Sequence, residues 1–283
     1  MQAKCITEKH LTPAIVDDWL QTLSAQMHIN TKLNYVLHYT CFARYLHTLG
    51  FTAFIPEPPR RENSYVPYIF SQDELARLFA AVDRCMMTKN CKENSRLQIP
   101  LVFRLLYGCG LRLDEALTLR TGDVNVEAGT LLIGNAKDNK DRLVPMDASL
   151  AKILYQYMKV TGKTSSQELL FDNGHGERHP QDWARKWFRW ILDEAGIAVE
   201  ELPRYGRNIC PHCLRHTFAV NSFRKQDIAG VDLYVAAPLL SAYMGHVKIY
   251  GTERYLHMTA ENSKDILDKT RAYTAGLFPE VPQ

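Results

Sequence analysis

The sequence predicts a mainly helical α+β protein, in which one small antiparallel β-sheet lies among helices. Apolar residues recur at helical spacing along most of the 283 residues, and two short runs have the length and composition of strands. A third observation is a break at residues 55–64, which include three prolines. Because proline cannot continue a helix and favours extended chain, we expect a domain over residues 1–55, a linker over 56–70 and a second domain over 71–283.

Composition excludes disorder as the main state, since 46% of the residues are hydrophobic and 23% are charged. The formal net charge of +3 does not by itself indicate a nucleic-acid partner, which would require the basic residues to be clustered. The seven cysteines are odd in number and scattered, which favours reduced thiols. Without an apolar leader or spanning segment, we expect a soluble, cytoplasmic protein with no membrane partner.

Two helices are predicted in the first domain, at residues 13–20 and 35–49, where Gly50 ends the second. The second domain opens with a capping box, in which Ser71 and Glu74 can each satisfy an early amide of the helix that follows.

The rest of the second domain is predicted to combine helices with one β-hairpin. Helical spacing over residues 99–119 is interrupted at Gly108-Cys109-Gly110. Strands at 130–133 and 142–145 flank a polar turn. Further helices are predicted at 151–160, 180–196, 211–224, 232–244 and, in a C-terminal tail, 261–273.

Four short motifs carry residues that could together form an anion-binding, chemically active site. They are Gly110-Leu111-Arg112, Lys137 in the hairpin turn, residues 212–216, and a Gly-His pair at 245–246 with Tyr255 nine residues later. Each motif is weak alone. His212 and Arg215 gain weight from their spacing, because residues three apart on a helix project from one face and can hold one anion together. The arginine fork can also bind two phosphate oxygens at once.

Taken together, the motifs resemble those of the tyrosine recombinase (phage integrase) family. The family's Gly-Leu-Arg-x-x-Glu box is matched at residues 110–115, and its Lys-x-x-Lys-x-Arg-x-Val-Pro hairpin at 137–145. Its His-x-Leu-Arg-His box is matched at 212–216, and its Gly-His box followed by a nucleophilic tyrosine at 245–255. The resemblance extends from about Ser71 to about Lys269 and implies a tyrosine-recombinase catalytic domain, preceded by a short, SAM-like core-binding domain that we expect to be truncated.

The resemblance implies catalytic roles for Arg112, Lys137, His212, Arg215, His246 and Tyr255. Tyr255 would attack phosphorus and form a 3′-phosphotyrosyl link, while the two arginines would stabilise the negative charge of the transition state. A tyrosine hydroxyl ordinarily titrates near pH ~10, so a proton acceptor is needed, and His212 is the expected one. Lys137 would protonate the leaving 5′-oxygen, and His246 would donate a hydrogen bond to the phosphate. No cofactor or divalent metal is expected, because the cations are side chains.

The resemblance further implies a site-specific recombinase or integrase that acts on double-stranded DNA at a specific core site, for integration or excision of a mobile element of bacterial, phage or transposon origin. It implies a homotetramer on paired sites and allows accessory DNA-bending factors. Lys140 and Arg142 are expected to contact the DNA backbone. Two alternatives stay open: a type IB topoisomerase-like relaxing enzyme, and a non-catalytic DNA-binding or regulatory relative.

Three further features do not favour a separate function. His216 is expected to be structural. A zinc site at Cys210-Pro211-His212-Cys213 is disfavoured, because zinc ligands normally come from two separated pairs and these residues lie in one helical turn. A redox dithiol is equally disfavoured, since no thioredoxin-like strand pattern precedes the cysteines.

Overall fold

The computed structural model describes residues 10–23, 27–62, 66–85, 93–134, 141–198 and 208–245, together with Thr252 and Tyr255. The chain divides into two compact units. One consists of Met1–Val66 and Pro203–Gly206, and the other of Pro67–Leu202 and Arg207–Gln283. The main division falls within the predicted 56–70 linker, and the functional assignment of the two domains stays a prediction.

The first unit contains helices α1 (Pro13–Thr22) and α2 (Ile29–Thr48). Helix α1 begins with a proline, which lacks the amide hydrogen that a first helical residue leaves unpaired. Helix α2 begins six residues before the predicted 35, because Nδ1 of His28 accepts a hydrogen bond from the Asn30 amide at 3.2 Å and caps the helix.

The second unit opens with helix α3 (Gln72–Arg84), and its predicted capping box is confirmed. Oγ of Ser71 accepts from the Glu74 amide at 3.2 Å, and Oε2 of Glu74 accepts from the Ser71 amide at 2.8 Å. The remaining helices are α4 (Glu93–Gly108), α5 (Leu113–Thr118), α6 (Ala148–Val160), α7 (Gln181–Glu194), α8 (His212–Ile228) and α9 (Leu233–Met244).

Three short antiparallel strands form one sheet in the order β1 (Val124–Asn125), β2 (Thr130–Ile133) and β3 (Arg142–Pro145). Leu131 pairs with Val144, and both are fully buried, so this face of the sheet packs on the core. Because side chains alternate along a strand, Arg142 shares the core-facing side with Val144, while Leu143 faces solvent.

The predicted fold class is confirmed: the described chain is mainly helical with a small three-stranded antiparallel sheet. One hydrophobic core contains residues from each of the helices α3 through α7 and from the sheet. A second cluster contains residues of α8 and α9 together with Tyr255. Within the described ranges, no helix is both long and apolar enough to cross a membrane. The predicted tail helix at 261–273 lies outside the described residues.

Candidate active site

A tight turn between α4 and α5 places Arg112. Gly110 has φ +60°, in the left-handed region that favours glycine, and a Cβ there would lie 2.5 Å from Cδ1 of Phe218. The chain then extends through Arg112 (ψ 148°) into α5. Glycine is therefore required where the backbone passes against α8, and Arg112 follows at the start of the next helix.

The side chain of Arg112 is oriented by two contacts. Its NH1 donates to Oε1 of Glu115 at 2.7 Å, and its NH2 donates to the carbonyl of Gly245 at 2.7 Å. The side chain is 35% exposed. A guanidinium has five N–H donors, so these two bonds fix its direction without using all of its donors.

Glu115 links three arginines from different parts of the chain. Besides Arg112, its carboxylate accepts two hydrogen bonds from Arg142, at 3.0 and 2.9 Å, and lies 3.8 Å from NH1 of Arg215. Burial alone would raise the pKa of Glu115, but hydrogen bonds from Arg142 and Arg112 and the charge of Arg142 lower it below its ordinary value. Glu115 is thus held as a carboxylate at the centre of the cationic cluster.

The side chain of Arg142, for which a contact with the DNA backbone is predicted, lies in a largely buried environment. Its side chain is only 12% exposed, and Nε donates to the Tyr243 carbonyl at 2.9 Å while both NH groups bind Glu115. The register of β3 explains this direction, because Arg142 lies on the core-facing side of the sheet. The geometry favours a positioning role for Arg142.

Arg215 is the most deeply buried arginine of the cluster, at 1% exposure. Its NH1 donates to the Gly110 carbonyl at 2.6 Å, and its NH2 donates to the Met244 carbonyl. Its Nε has no hydrogen-bond acceptor among the described residues. Burial, followed by the charge of Arg112, lowers the pKa of Arg215 to about 10, which leaves it protonated at neutral pH.

The hydroxyl of Tyr255 contacts a histidine of α8. Its hydroxyl lies 2.6 Å from Nδ1 of His216, and both residues are buried. The His212 ring is T-shaped against the His216 ring, with centroids 4.6 Å apart. The two histidines are four residues apart on α8, so they share one face of the helix. From the sequence, proton acceptance is expected at His212 and a structural role at His216.

Tyr255 is held by apolar packing and lies close to a cation. It is 3% exposed and packs with residues of α8 and α9, among them Phe223 and Met244. A negative charge on Tyr255 would raise the pKa of Arg215, so the two groups are near enough to interact electrostatically.

The structure brings together Arg112, His212, Arg215 and Tyr255 of the residues predicted from sequence, with Glu115 and His216 added. Lys137, Lys140 and His246 lie outside the described residues, and their roles stay predictions. Across the part of the chain that is described, no three His, Cys, Asp or Glu side chains form a group that could hold a metal ion.

Comparison with known proteins gives consistent matches. The sequence profile of the phage integrase family matches residues 69–262. The integrase/recombinase y4rB of Sinorhizobium fredii is 31% identical over 269 residues, covering 91% of this chain and 83% of that protein. The tyrosine recombinase XerA of Pyrococcus horikoshii is 27% identical over 73% of this chain, which spans 62% of that protein.

The fold also matches a solved structure. The XerH site-specific recombinase, crystallised in a post-cleavage complex with a palindromic difH substrate, superposes with a TM-score of 0.69 at 20% identity. The match covers 92% of this chain and 71% of that one. At this identity the likeness concerns the fold.

Proposed function

The chain belongs to the phage integrase family of tyrosine recombinases, and we propose that it is a site-specific DNA recombinase that cleaves and rejoins strands through Tyr255. One observation carries the proposal: the Tyr255 hydroxyl is hydrogen-bonded to His216 beside the buried guanidinium of Arg215. A tyrosine with a proton acceptor and a neighbouring cation has what nucleophilic attack on a phosphodiester requires.

In the cleavage step, the phenolic oxygen of Tyr255 attacks phosphorus, and the bond from phosphorus to the 5′-oxygen breaks. The tyrosine proton passes to Nδ1 of His216, which is at hydrogen-bond distance and accepts it when that nitrogen is unprotonated. The products are a 3′-phosphotyrosyl link and a free 5′-hydroxyl. Attack by a 5′-hydroxyl on the same link reverses the step, so the strand is rejoined without an external energy source.

The arginines stabilise the charge that develops on the phosphoryl oxygens. Arg112 and Arg215 are the proposed phosphate ligands, since Arg112 is partly exposed and Arg215 keeps one buried donor without an acceptor among the described residues. Glu115 and Arg142 hold them in position through the contacts described above. Donors fixed before substrate binds need no reorganisation as the charge grows, and such electrostatic stabilisation is often the largest contribution to catalysis.

Three further roles are proposed on the family motifs alone. Lys137 would protonate the leaving 5′-oxygen, His246 would donate a hydrogen bond to the phosphate, and Lys140 would contact the DNA backbone. Their basic side chains and their places in the motifs support these assignments.

We further propose that the protein acts as a homotetramer on two copies of a double-stranded core site. The reaction would integrate or excise a mobile element. The relationship to an integrase/recombinase of Sinorhizobium fredii supports this role. Helices α1 and α2 would contribute DNA-backbone contacts, which position a protein on DNA without reading its sequence.

The test uses DNA that flanks the gene, because a mobile element carries its own recombination site. Nicked fragments of this DNA trap the covalent intermediate, because the short strand 5′ to the nick diffuses away after cleavage. An adduct that survives denaturation supports strand cleavage, and crossover between two sites, without relaxation of a single circle, separates a recombinase from a topoisomerase. Absence of any adduct across the flanking DNA would identify a non-catalytic relative.

A further inference from the structure

Two cysteines lie at the start of α8, immediately beside the candidate active site. The sulfurs of Cys210 and Cys213 are 4.0 Å apart. The backbone between them is already a tight turn, because the Cys213 amide donates to the Cys210 carbonyl at 2.8 Å and the Cys210 amide donates to the Cys213 sulfur at 3.5 Å. The pair is therefore fixed at close range by the fold.

Disulfide formation requires only a short approach. An S–S bond is ~2.05 Å long, so the two sulfurs must close by about 2 Å. We expect this approach to combine side-chain rotation with a shift of the turn that carries His212. The sequence alone disfavours a redox pair, because no thioredoxin-like strand precedes it; the proximity of the two sulfurs in the structure is an independent observation in favour of one.

The two thiols have different environments, as attacking and resolving cysteines do. Cys210 is partly exposed, whereas Cys213 is buried. A hydrogen bond from the Cys213 thiol, together with backbone amides at the helix start and the charge of Arg185, outweighs burial and lowers the pKa of Cys210 below its ordinary value. The hydrogen bond to Cys210 and burial raise the pKa of Cys213. Cys210 is thus the more accessible and the more acidic of the two thiols, and the thiolate is the reactive form of cysteine.

We propose that Cys210 and Cys213 form a reversible intramolecular disulfide, and that this modification slows DNA cleavage by displacing His212, which lies between them and packs against the ring of the proposed proton acceptor His216. The second part rests on the proposed function. A misplacement of about 1 Å that begins away from the reacting atoms can lower a rate by ~10²-fold. The first part depends only on the two cysteines.

A small disulfide such as oxidised glutathione is the proposed oxidant. The Cys210 thiolate attacks one of its sulfurs, and one glutathione thiolate leaves and takes up a proton. Cys213 loses its proton and attacks the Cys210 sulfur of the mixed disulfide, which releases the second glutathione. The two cysteines lose two electrons and two protons in total, and oxidised glutathione is reduced to two thiols.

The modification is tested by peptide mapping of the full chain. Residues 208–215 form one tryptic peptide, between Arg207 and Arg215, that contains both cysteines. After treatment with oxidised glutathione and alkylation with N-ethylmaleimide, we expect this peptide to be unalkylated and lighter by two hydrogens than the dithiol, and we expect dithiothreitol to reverse the change. Cys210→Ser should abolish the disulfide, while Cys41→Ser, at an exposed cysteine of α2, should leave it intact. A peptide that stays doubly alkylated in oxidised glutathione would overturn the proposal.

The consequence is tested on the nicked DNA substrate. Oxidation should lower the cleavage rate of the wild-type chain by about tenfold or more, with recovery in reductant, and should leave Cys210→Ser unaffected. Equal rates for the oxidised and reduced wild-type chain would overturn the regulatory part. A chain that forms the disulfide on oxidation but never cleaves DNA, even when reduced, would instead contradict the proposed function, because the mass measurement does not depend on cleavage.

Discussion

The carboxylate of Glu115 binds the guanidinium of Arg142 at two points, with nitrogen–oxygen distances of 3.0 and 2.9 Å. The same carboxylate accepts a hydrogen bond from Arg112, so one buried acid joins the start of α5 to strand β3. Arg142 in turn donates to the carbonyl of Tyr243 near the end of α9. A single acidic residue therefore sets the spacing of elements that are far apart in sequence.

We predict that Glu115→Gln lowers the free energy of unfolding by about 3–5 kcal/mol at pH 7, because it leaves buried arginines without their counter-charge. Denaturant unfolding measures this loss. The control is Glu194→Gln, whose ion pair with Arg84 is about half exposed and should contribute only about 0–1 kcal/mol.

The effect of Glu115 should depend on pH in a defined direction. Its folded-state pKa is lowered below 4.5, so its contribution to stability is fully present above that pH and is lost as pH falls through the folded pKa. The stability difference between wild type and Glu115→Gln should be constant near neutrality and shrink in acid. A difference that is the same at all pH values would contradict the ionised state assigned to Glu115.

Much of this fold could be predicted from sequence because its signals are local. The capping box at Ser71 and the hairpin strands are set by residues a few positions apart. The inward direction of Arg142 could not be predicted in the same way, because its partner Tyr243 lies 101 residues away in the chain. The contact of His216 with Tyr255 also depends on how Tyr255 packs against α8.

Arg215 provides a second prediction. Arg215→Lys keeps a positive charge, but one ammonium cannot reproduce the planar fork that reaches the carbonyls of both Gly110 and Met244. We expect single-turnover DNA cleavage to fall by well over tenfold, equivalent to more than about 1.4 kcal/mol of transition-state stabilisation. Arg84→Lys, in an exposed ion pair, is the matched control and should cleave normally. Near-normal cleavage by Arg215→Lys would refute the assigned role.

His216 provides a third prediction. His216→Ala removes the acceptor at 2.6 Å from the Tyr255 hydroxyl, and loss of a positioned general base typically costs ~10²–10⁴-fold in rate. Single-turnover cleavage rates should show this loss. His175→Ala, at an exposed loop histidine, serves as the control. Normal cleavage by His216→Ala with a large loss in His212→Ala would return proton acceptance to His212.

Gly110 provides a fourth prediction, on the backbone. Gly110→Ala should cost about 1–2 kcal/mol for the left-handed conformation alone, and more because the new Cβ overlaps the Phe218 ring. The control position is Gly162, which has a similar φ of +67° and open space around it. Comparing the thermal unfolding of Gly110→Ala with that of Gly162→Ala therefore separates backbone strain from steric overlap. We expect Gly110→Ala to be the less stable variant and to cleave DNA more slowly, because the Gly110 carbonyl holds Arg215. Equal stability of the two variants would contradict the close packing described here.

The most direct test of the central claim is covalent trapping with Tyr255→Phe, which removes only the hydroxyl oxygen. On a nicked substrate from the DNA flanking the gene, the wild-type chain should form an adduct that survives denaturation, and Tyr255→Phe should form none. Tyr234→Phe, at an exposed tyrosine of α9, should form the adduct as wild type does. An adduct that persists in Tyr255→Phe, or one that is absent from the wild-type chain, would contradict the assignment of Tyr255 as the nucleophile.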